Sequence, residues 1–403
     1  MAITISETIL TEAYPIITFF MFVLGACIGS FLNVVICRIP QRQSIIHPPS
    51  SCPKCGHKLS ALENIPLISW LFLKARCRQC KTPISISYPF VELSVACLFV
   101  AIWVKTVQAD LPLATLPCLL FFATALLAAG IIDARHGIIP NKITYTGLIA
   151  ALAAAFILPA SRNLPALTVA SPAADSQRLK LIPEITNFLP LSNPHLTAPA
   201  DVLFNILVTF LFLWIIQVVG TLARGRIKHK PDRTQKITLT KNSLYITDPS
   251  DNNFSQSDIH QLTAKLHDVS LKYYDSSNQL KSLLLSSAEL QISKNKVKLD
   301  SLSFSGSEIL SLKGFTESWY TPQKVLGWGD IKLMAMIVAF TGLGATLFIL
   351  LTASVSGLIA GLLRNCLSSA KHKHIPFGPF LAAGSYIWIF CGPFLFDTIM
   401  QSF

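Results

Sequence analysis

Two aspartates stand where carboxylates are expensive. Asp330 opens the apolar run "GWGDIKLMAMIVAF" (Gly327 to Phe340), and Asp133 closes another in "LLAAGIIDARHGIIPNKIT". An acidic side chain at the centre of a bilayer-buried helix costs roughly 2.5–3.5 kcal/mol on insertion scales; even at a helix end it needs water, a partner or a role. Two carboxylates meeting in a partly dry site cannot easily both ionise, so one keeps its proton. The ionised member can then take a proton from water while the other polarises a carbonyl oxygen, the division of labour of aspartic proteolysis. Gly327 and Gly329 remove side chains beside Asp330, so backbone, substrate or a second helix can come close. The plainer role for either aspartate is to cap or flank a helix. A carboxylate near a helix N-terminus, as at Asp330, complements the dipole, whereas one near a C-terminus, as at Asp133, opposes it.

A second constellation is "CPKCGHKL" with "CRQC", which supplies Cys52, Cys55, Cys77 and Cys80. Two CxxC pairs with this spacer suit tetrahedral zinc, each pair forming a knuckle that presents two thiolates. With all four positions filled by sulfur, such a metal is structural, not hydrolytic. A redox pair or metal-free thiols are the competing readings, and His47 and His57 flank the loop as alternative ligands. Cys27, Cys37, Cys97, Cys118, Cys366 and Cys391 lie in or beside apolar runs, where cysteine behaves as a small hydrophobe. Glu92, early in an apolar run after Pro89, is either an intramembrane functional carboxylate or a polar helix start.

The elements that must carry these groups are membrane helices. Of the 403 residues 52% are hydrophobic and 13% charged, with a mean hydropathy of +0.53; a soluble chain carries about 25% charged residues. Eight apolar runs, at about 15–37, 89–107, 113–132, 142–159, 201–222, 329–343, 345–363 and 376–400, approach the roughly 20 residues that cross a bilayer. "LGAC" imitates a lipoprotein box, but Glu7 and Glu12 stand where a signal peptide needs basic residues, which predicts an uncleaved first helix entering from outside. Basic stretches at Arg38 to Lys81, "RGRIKHK" and "KHKH" all fall on one side if both termini face out, as the positive-inside rule requires. Both aspartates then lie at the cytoplasmic boundary, at one depth. The net charge of +12 fits loops at an anionic membrane face and no nucleic-acid partner.

The expected fold class is therefore an all-α polytopic membrane protein of about eight transmembrane helices, with a cytoplasmic four-cysteine zinc loop and a small β-rich, α+β soluble insert. The boundaries are a first helix (1–37), the cysteine loop (38–88), helices two to four with Asp133 (89–159) and an external Pro- and Ser-rich loop (160–200). Helix five (201–222), a cytoplasmic insert (223–326) and the GxGD segment with helices six to eight (327–403) follow. In the insert, "QKITLTKNSLYIT", "AELQIS" and "KVKLDSLSFS" alternate as half-buried strands do, and "DIHQLTAKLHDV" predicts a short helix opening at Asp258.

"GSFLNVVICRIP" (Gly29 to Pro40), the run from His47 to Ser85, "YPFVE" (Tyr88 to Glu92), "GWGDIKLMA" and "IPFGPFLAAG" (Ile375 to Gly384) together resemble the bacterial type IV prepilin peptidases, whose motifs occur in this order. The resemblance implies prepilin and pseudopilin substrates, whose short basic leader is cut after glycine at the cytoplasmic face of the bacterial inner membrane. In many members, methylation of the new N-terminus with S-adenosylmethionine follows. It also implies Asp133 and Asp330 as the catalytic pair, the four cysteines as zinc ligands, and Gly327, Gly329, Lys332 and Glu92 as supporting motif positions. The chain departs from the family at Asn141, commonly aspartate there, and at "ISIS" before Tyr88, where an arginine is common; both departures bear on methylation rather than proteolysis. Two other classes are a proton or cation transporter, which needs acids near the bilayer midplane, and an inert assembly scaffold, which tolerates loss of either aspartate.

Overall fold

The computed structural model describes residues 7–109, 111–158, 194–224, 226–229, 234–240, 243–247, 255–257, 261–274, 279–293, 296–305, 308–322, 326–367 and 375–401. The chain divides into two compact units, one made of residues up to Leu213 together with Gly327 onward, the other of Trp214–Leu326.

The first unit is helical. Its elements are α1 (Glu7–Arg38), a short α2 (Ile68–Phe72), α3 (Ser87–Gln108), α4 (Leu116–His136), α5 (Asn141–Ile157), α6 (Pro194–Arg224, which runs on into the second unit), α7 (Trp328–Thr341), α8 (Gly344–Leu367) and α9 (Gly378–Gln401). Among the described residues, five stretches are long and apolar enough to cross a membrane: Ala13–Arg38, Ser87–Gln108, Leu113–His136, Ala198–Ala223 and Gly344–Arg364. This is the helix set of an integral membrane protein. Small residues let α1 and α3 pack backbone to backbone, since a Cβ at Gly25 or Gly29 would stand 2.7 Å from Cα of Ala96 or Glu92. Further along the same pair, Trp103 Nε1 donates to Thr18 Oγ1 at 3.2 Å.

At the centre stands α7. From Leu333 to Val338 no residue is more than 3% exposed, so this helix, apolar all round, is walled in by protein. Phe122 of α4 stacks on Phe340 at 4.5 Å, Gly147 of α5 makes room for Met336, and α8 and α9 pack alongside. With 14 residues, α7 is only about 21 Å long, short of a hydrocarbon core of about 30 Å. It stops at Thr341 rather than 343 because Gly342 takes up a left-handed φ of 76°. Conversely α6 begins at Pro194, seven residues before the apolar run at 201. Residues 194–200 of the expected external loop (160–200) are therefore helix, and its remainder lies outside the described residues.

The second unit holds a ten-stranded sheet. Its strands are β1 (Arg226–His229), β2 (Gln235–Thr240), β3 (Ser243–Thr247), β4 (Ser255–Ser257), β5 (Gln261–Tyr274), β6 (Leu280–Ser293), β7 (Lys296–Leu299), β8 (Leu302–Ser305), β9 (Ile309–Thr316) and β10 (Trp319–Pro322). The order is β4-β3-β2-β9-β5-β6-β7-β8, with β10 joining β5 to β1, and the paired strands run antiparallel. One face buries Ile237, Leu262, Leu266, Leu271, Leu290, Leu299 and Leu312 among others. The predicted helix over "DIHQLTAKLHDV" is corrected here: residues 261–274 are strand, and among the described residues the insert contains no helix beyond the end of α6. Leu262, Ala264 and Leu266 point into the core at two-residue spacing, and the strand pairs with both β6 and β9, which outweighs any local helical tendency. The opening residue of that expectation, Asp258, lies outside the described residues.

Candidate functional site

Asp133 sits in the last turn of α4 and is 4% exposed. Its own helix dipole disfavours a carboxylate there, but another helix supplies the opposite pole. The N–H of Gly378, first residue of α9, donates to Asp133 Oδ2 at 2.8 Å across 245 residues of sequence. A helix N-terminus is a favourable seat for an anion. The seat requires glycine: a Cβ at position 378 would lie 2.7 Å from Asp133 Oδ2 and 3.1 Å from its Cβ and Cγ. Behind Asp133, α4 ends on Gly137, whose φ of 66° turns the chain while its N–H donates to Asp133 O at 2.8 Å. Pro140 then leads into α5.

Asp330 lies in the first turn of α7, half-buried. Its Oδ2 accepts the N–H of Gly327 at 3.1 Å, a one-sided capping box, since glycine has no side chain to return the bond. Capping leaves the carboxylate able to do more, because its two oxygens offer about four acceptor sites. Gly329 is pressed on by Ile139, whose Cβ would stand 3.1 Å from a Cβ added there. Lys332 Nζ donates to Asn141 Oδ1 at 2.9 Å and lies 5.5 Å from the Tyr145 ring centroid. The turn that follows Asp133 is therefore fastened to the turn that bears Asp330.

The two aspartates share a level. Asp133 lies 11 residues beyond Phe122 in α4, and Asp330 10 residues before Phe340 in α7, which at 1.5 Å per residue is about 16 and 15 Å. Phe122 and Phe340 stack at one end and Ile139 meets Gly329 at the other, so the helices are antiparallel and both carboxylates stand at the same end. One is buried and the other half-buried, an asymmetry that suits a division into acid and base.

The four cysteines come together. Their sulfurs lie within 4.8 Å of one another, with Cys52–Cys80 at 3.7 Å and Cys55–Cys77 at 4.0 Å. A tetrahedral zinc with Zn–S bonds of about 2.3 Å needs sulfurs about 3.8 Å apart, so the set fits the metal, and it is far from the roughly 2.05 Å of a disulfide. Each CxxC pair is a knuckle of the same design. Cys52 N–H donates to His57 O at 2.9 Å and Cys77 N–H to Thr82 O at 2.9 Å. The turns pass through left-handed residues, Gly56 at φ 72° and Lys81 at φ 58°. Thr82, its hydroxyl 3.2 Å from the sulfur, pulls the Cys80 thiol down to about 6, and the backbone N–H groups of Cys55 and Lys54 lower Cys52. At Cys55 the His57 N–H favours the thiolate, but desolvation and the neighbouring sulfurs outweigh it and push the thiol up to about 11. His57 faces Glu63 at 3.2 Å instead of the sulfurs, and the Ser60 N–H with His57 holds the Glu63 carboxyl down at about 2.

Glu92 is buried between the cysteine loop and the helices. Its Oε2 accepts the N–H of Leu67 at 2.7 Å, at a left-handed residue of φ 61°, and its backbone is the surface on which Gly29 packs. It ties the loop to α3. Gly378 and Ile139 have no role in the sequence reading, and Asn141 appears there only as a departure from the family pattern, although each contacts a residue of the site. A glycine opening a helix after "IPF" was the available signal for the first.

Similarity to known proteins bears on these elements. Residues 23–106 match the family described as the Bacterial Peptidase A24 N-terminal domain, and residues 283–362 match the Type IV leader peptidase family. The first match contains the four cysteines and Glu92, the second contains Asp330, and Asp133 lies outside both. Proteins named "Prepilin leader peptidase/N-methyltransferase" are similar to parts of the chain. That of Myxococcus xanthus is 47% identical over 149 residues, 36% of this chain and 42% of the relative. That of Dichelobacter nodosus is 37% identical over 184 residues, 38% of this chain and 62% of the relative. The Bacillus subtilis protein is 39% identical over 123 residues, 30% and 48% respectively. The chain thus spans about half the length of the curated relatives it matches. No solved structure matches it. The resemblance drawn from the motifs is borne out in two separate parts of the chain, one with the four cysteines and Glu92 and one with Asp330, each similar to the leader peptidase families.

Proposed function

We propose that the chain is an aspartyl endopeptidase that removes the leader of type IV prepilins and pseudopilins at the cytoplasmic membrane face, after glycine. The observation that carries this reading is that Asp133 and Asp330 stand at the same end of two antiparallel helices whose ends are linked through Ile139, Gly329, Asn141 and Lys332. The names of the relatives supply the substrate class. In the reaction, the ionised aspartate accepts a proton from water as its oxygen attacks the scissile carbonyl, and the protonated aspartate hydrogen-bonds the carbonyl oxygen. Collapse of the tetrahedral intermediate expels the amine, which takes the proton gained by the first carboxylate.

The same reading includes eight membrane crossings, both termini outside the bacterial inner membrane, and the sheet and cysteine loop in the cytoplasm. Short α7 is then enclosed by its neighbours, whereas α5 turns Ile149, Phe156 and Ile157 outward. Cys52, Cys55, Cys77 and Cys80 would hold one zinc ion, whose chemistry is to bind four thiolates and brace the loop. Methylation of the new N-terminus would use S-adenosylmethionine as co-substrate. That donor needs an apolar slot and a cation for its carboxylate, and a cavity of about 360 Å³ beside α1 offers Phe31, Val34, Ile45 and Ile46 with Arg38. The test is incubation of the purified protein with a prepilin-like peptide and mass determination, separating intact, cleaved and cleaved-plus-methyl species. Asp133→Asn and Asp330→Asn should each abolish cleavage with normal insertion, and the double variant should be little worse. Cleavage by either single variant at the unmodified rate refutes the aspartyl assignment.

A further inference from the structure

We propose that Lys332 and Asn141 are positioning residues, a clasp that sets the separation of the two aspartates; this rests on the aspartyl reading above. The contact joins positions 191 residues apart in sequence and ties the first turns of α5 and α7 together at 2.9 Å. Beside it, Ile139 bears on Gly329 and the Tyr145 ring lies under the ammonium. Three residues around the start of α5 thus grip two near the start of α7.

A lysine is out of place there on local grounds. Both helix starts carry the positive end of the dipole, which disfavours a cation. Helix propensity offers no reason either, since many residues serve as well. What the lysine provides is reach. From Asp133 the chain passes Gly137 and Pro140 to Asn141, crosses the hydrogen bond to Lys332, and returns within two residues to Asp330. This path is covalent except at the clasp, and the Ile139–Gly329 contact crosses beside it. Neither residue need touch substrate. Releasing the tie lets the first turn of α7 shift against α4, and a displacement of about 1 Å at a catalytic pair can cost about 100-fold in rate.

The experiment uses the full chain in nanodiscs with a prepilin-like peptide. Lys332→Met and Asn141→Ala should each lower kcat about 10- to 100-fold with KM changed less than about twofold. The double variant should match the weaker single, because both break one contact. Asn141→Asp, which keeps an acceptor oxygen in place, should stay within about threefold of the unmodified protein. A brace that only supports folding would lower the melting temperature and the folded fraction but leave kcat per folded molecule intact, and that result overturns the proposal. So do additive losses in the double variant, or full kcat in Lys332→Met. Asp133→Asn and Asp330→Asn run alongside: activity in either refutes the aspartyl reading and the clasp with it. Inactivity in both with full activity in Lys332→Met refutes the clasp alone.

Discussion

Replacing Gly378 by alanine adds one methyl group at the seat of the Asp133 carboxylate. The new Cβ would stand 2.7 Å from Oδ2 and 3.1 Å from Cβ and Cγ of Asp133, against a comfortable separation of about 3.5 Å. Something must therefore yield by about 0.4–0.8 Å, and Asp133, buried and fixed in α4, can yield only with its helix or by giving up the Gly378 N–H. Overpacking of this kind costs about 1–3 kcal/mol of stability. Scaled to the roughly 100-fold loss per ångström of misplacement, the rate should fall about 6- to 40-fold. Peptide cleavage followed by mass spectrometry reads the rate, and thermal unfolding in detergent reads the stability. Gly357→Ala in α8 is the control: its added Cβ would meet the Phe380 ring at an ordinary 3.6 Å, so activity should be unchanged. Gly378→Ala with unmodified kcat would mean that the Gly378 seat does not hold Asp133 in its working position.

Metal analysis of protein purified without chelators should give one zinc per chain, and Cys77→Ser should release it; four freely titrating thiols in the native protein would count against the site. Lys81→Gly should stabilise the second knuckle by about 1 kcal/mol, because a side chain at φ 58° is strained where glycine is not, and loop proteolysis rates should fall accordingly. Substituting the segment from Arg226 to Pro322 by a short Gly/Ser linker should preserve cleavage of a generic peptide; normal insertion with no cleavage would make the sheet part of the chemistry.

The helices were legible because membrane spans declare themselves by length and apolarity, and the cysteine cluster because two CxxC pairs at this spacing bring four sulfurs together. Of the insert's strands, β2, β3, β7, β8 and the end of β6 were legible from alternation, β5 read as a helix, and β1, β4, β9 and β10 were not singled out. Within "QLTAKLHDV", Leu262, Leu266 and Val269 fall at helical spacing while Leu262, Ala264 and Leu266 fall at strand spacing. A nine-residue window cannot separate the two; partners β6 and β9 do. The surroundings of the aspartates were hidden for a different reason. Gly378 reaches Asp133 across 245 residues and Lys332 reaches Asn141 across 191, so neither contact leaves a local periodicity to read. The dipole objection to Asp133 was sound for α4 alone and is answered by α9, which no inspection of α4 discloses.

The sheet leaves and rejoins the helical chain at a single place. β1 and β10 pair with Arg226 opposite Pro322 and His229 opposite Trp319, and directly opposed residues in antiparallel strands lie only about 4.5–5.5 Å apart. A segment rooted on such a stem behaves as a side branch. It can lengthen, shorten or change its surface without altering the distance that the flanking chain must span. Growth of the chain at this point is therefore geometrically neutral for the segments that flank it.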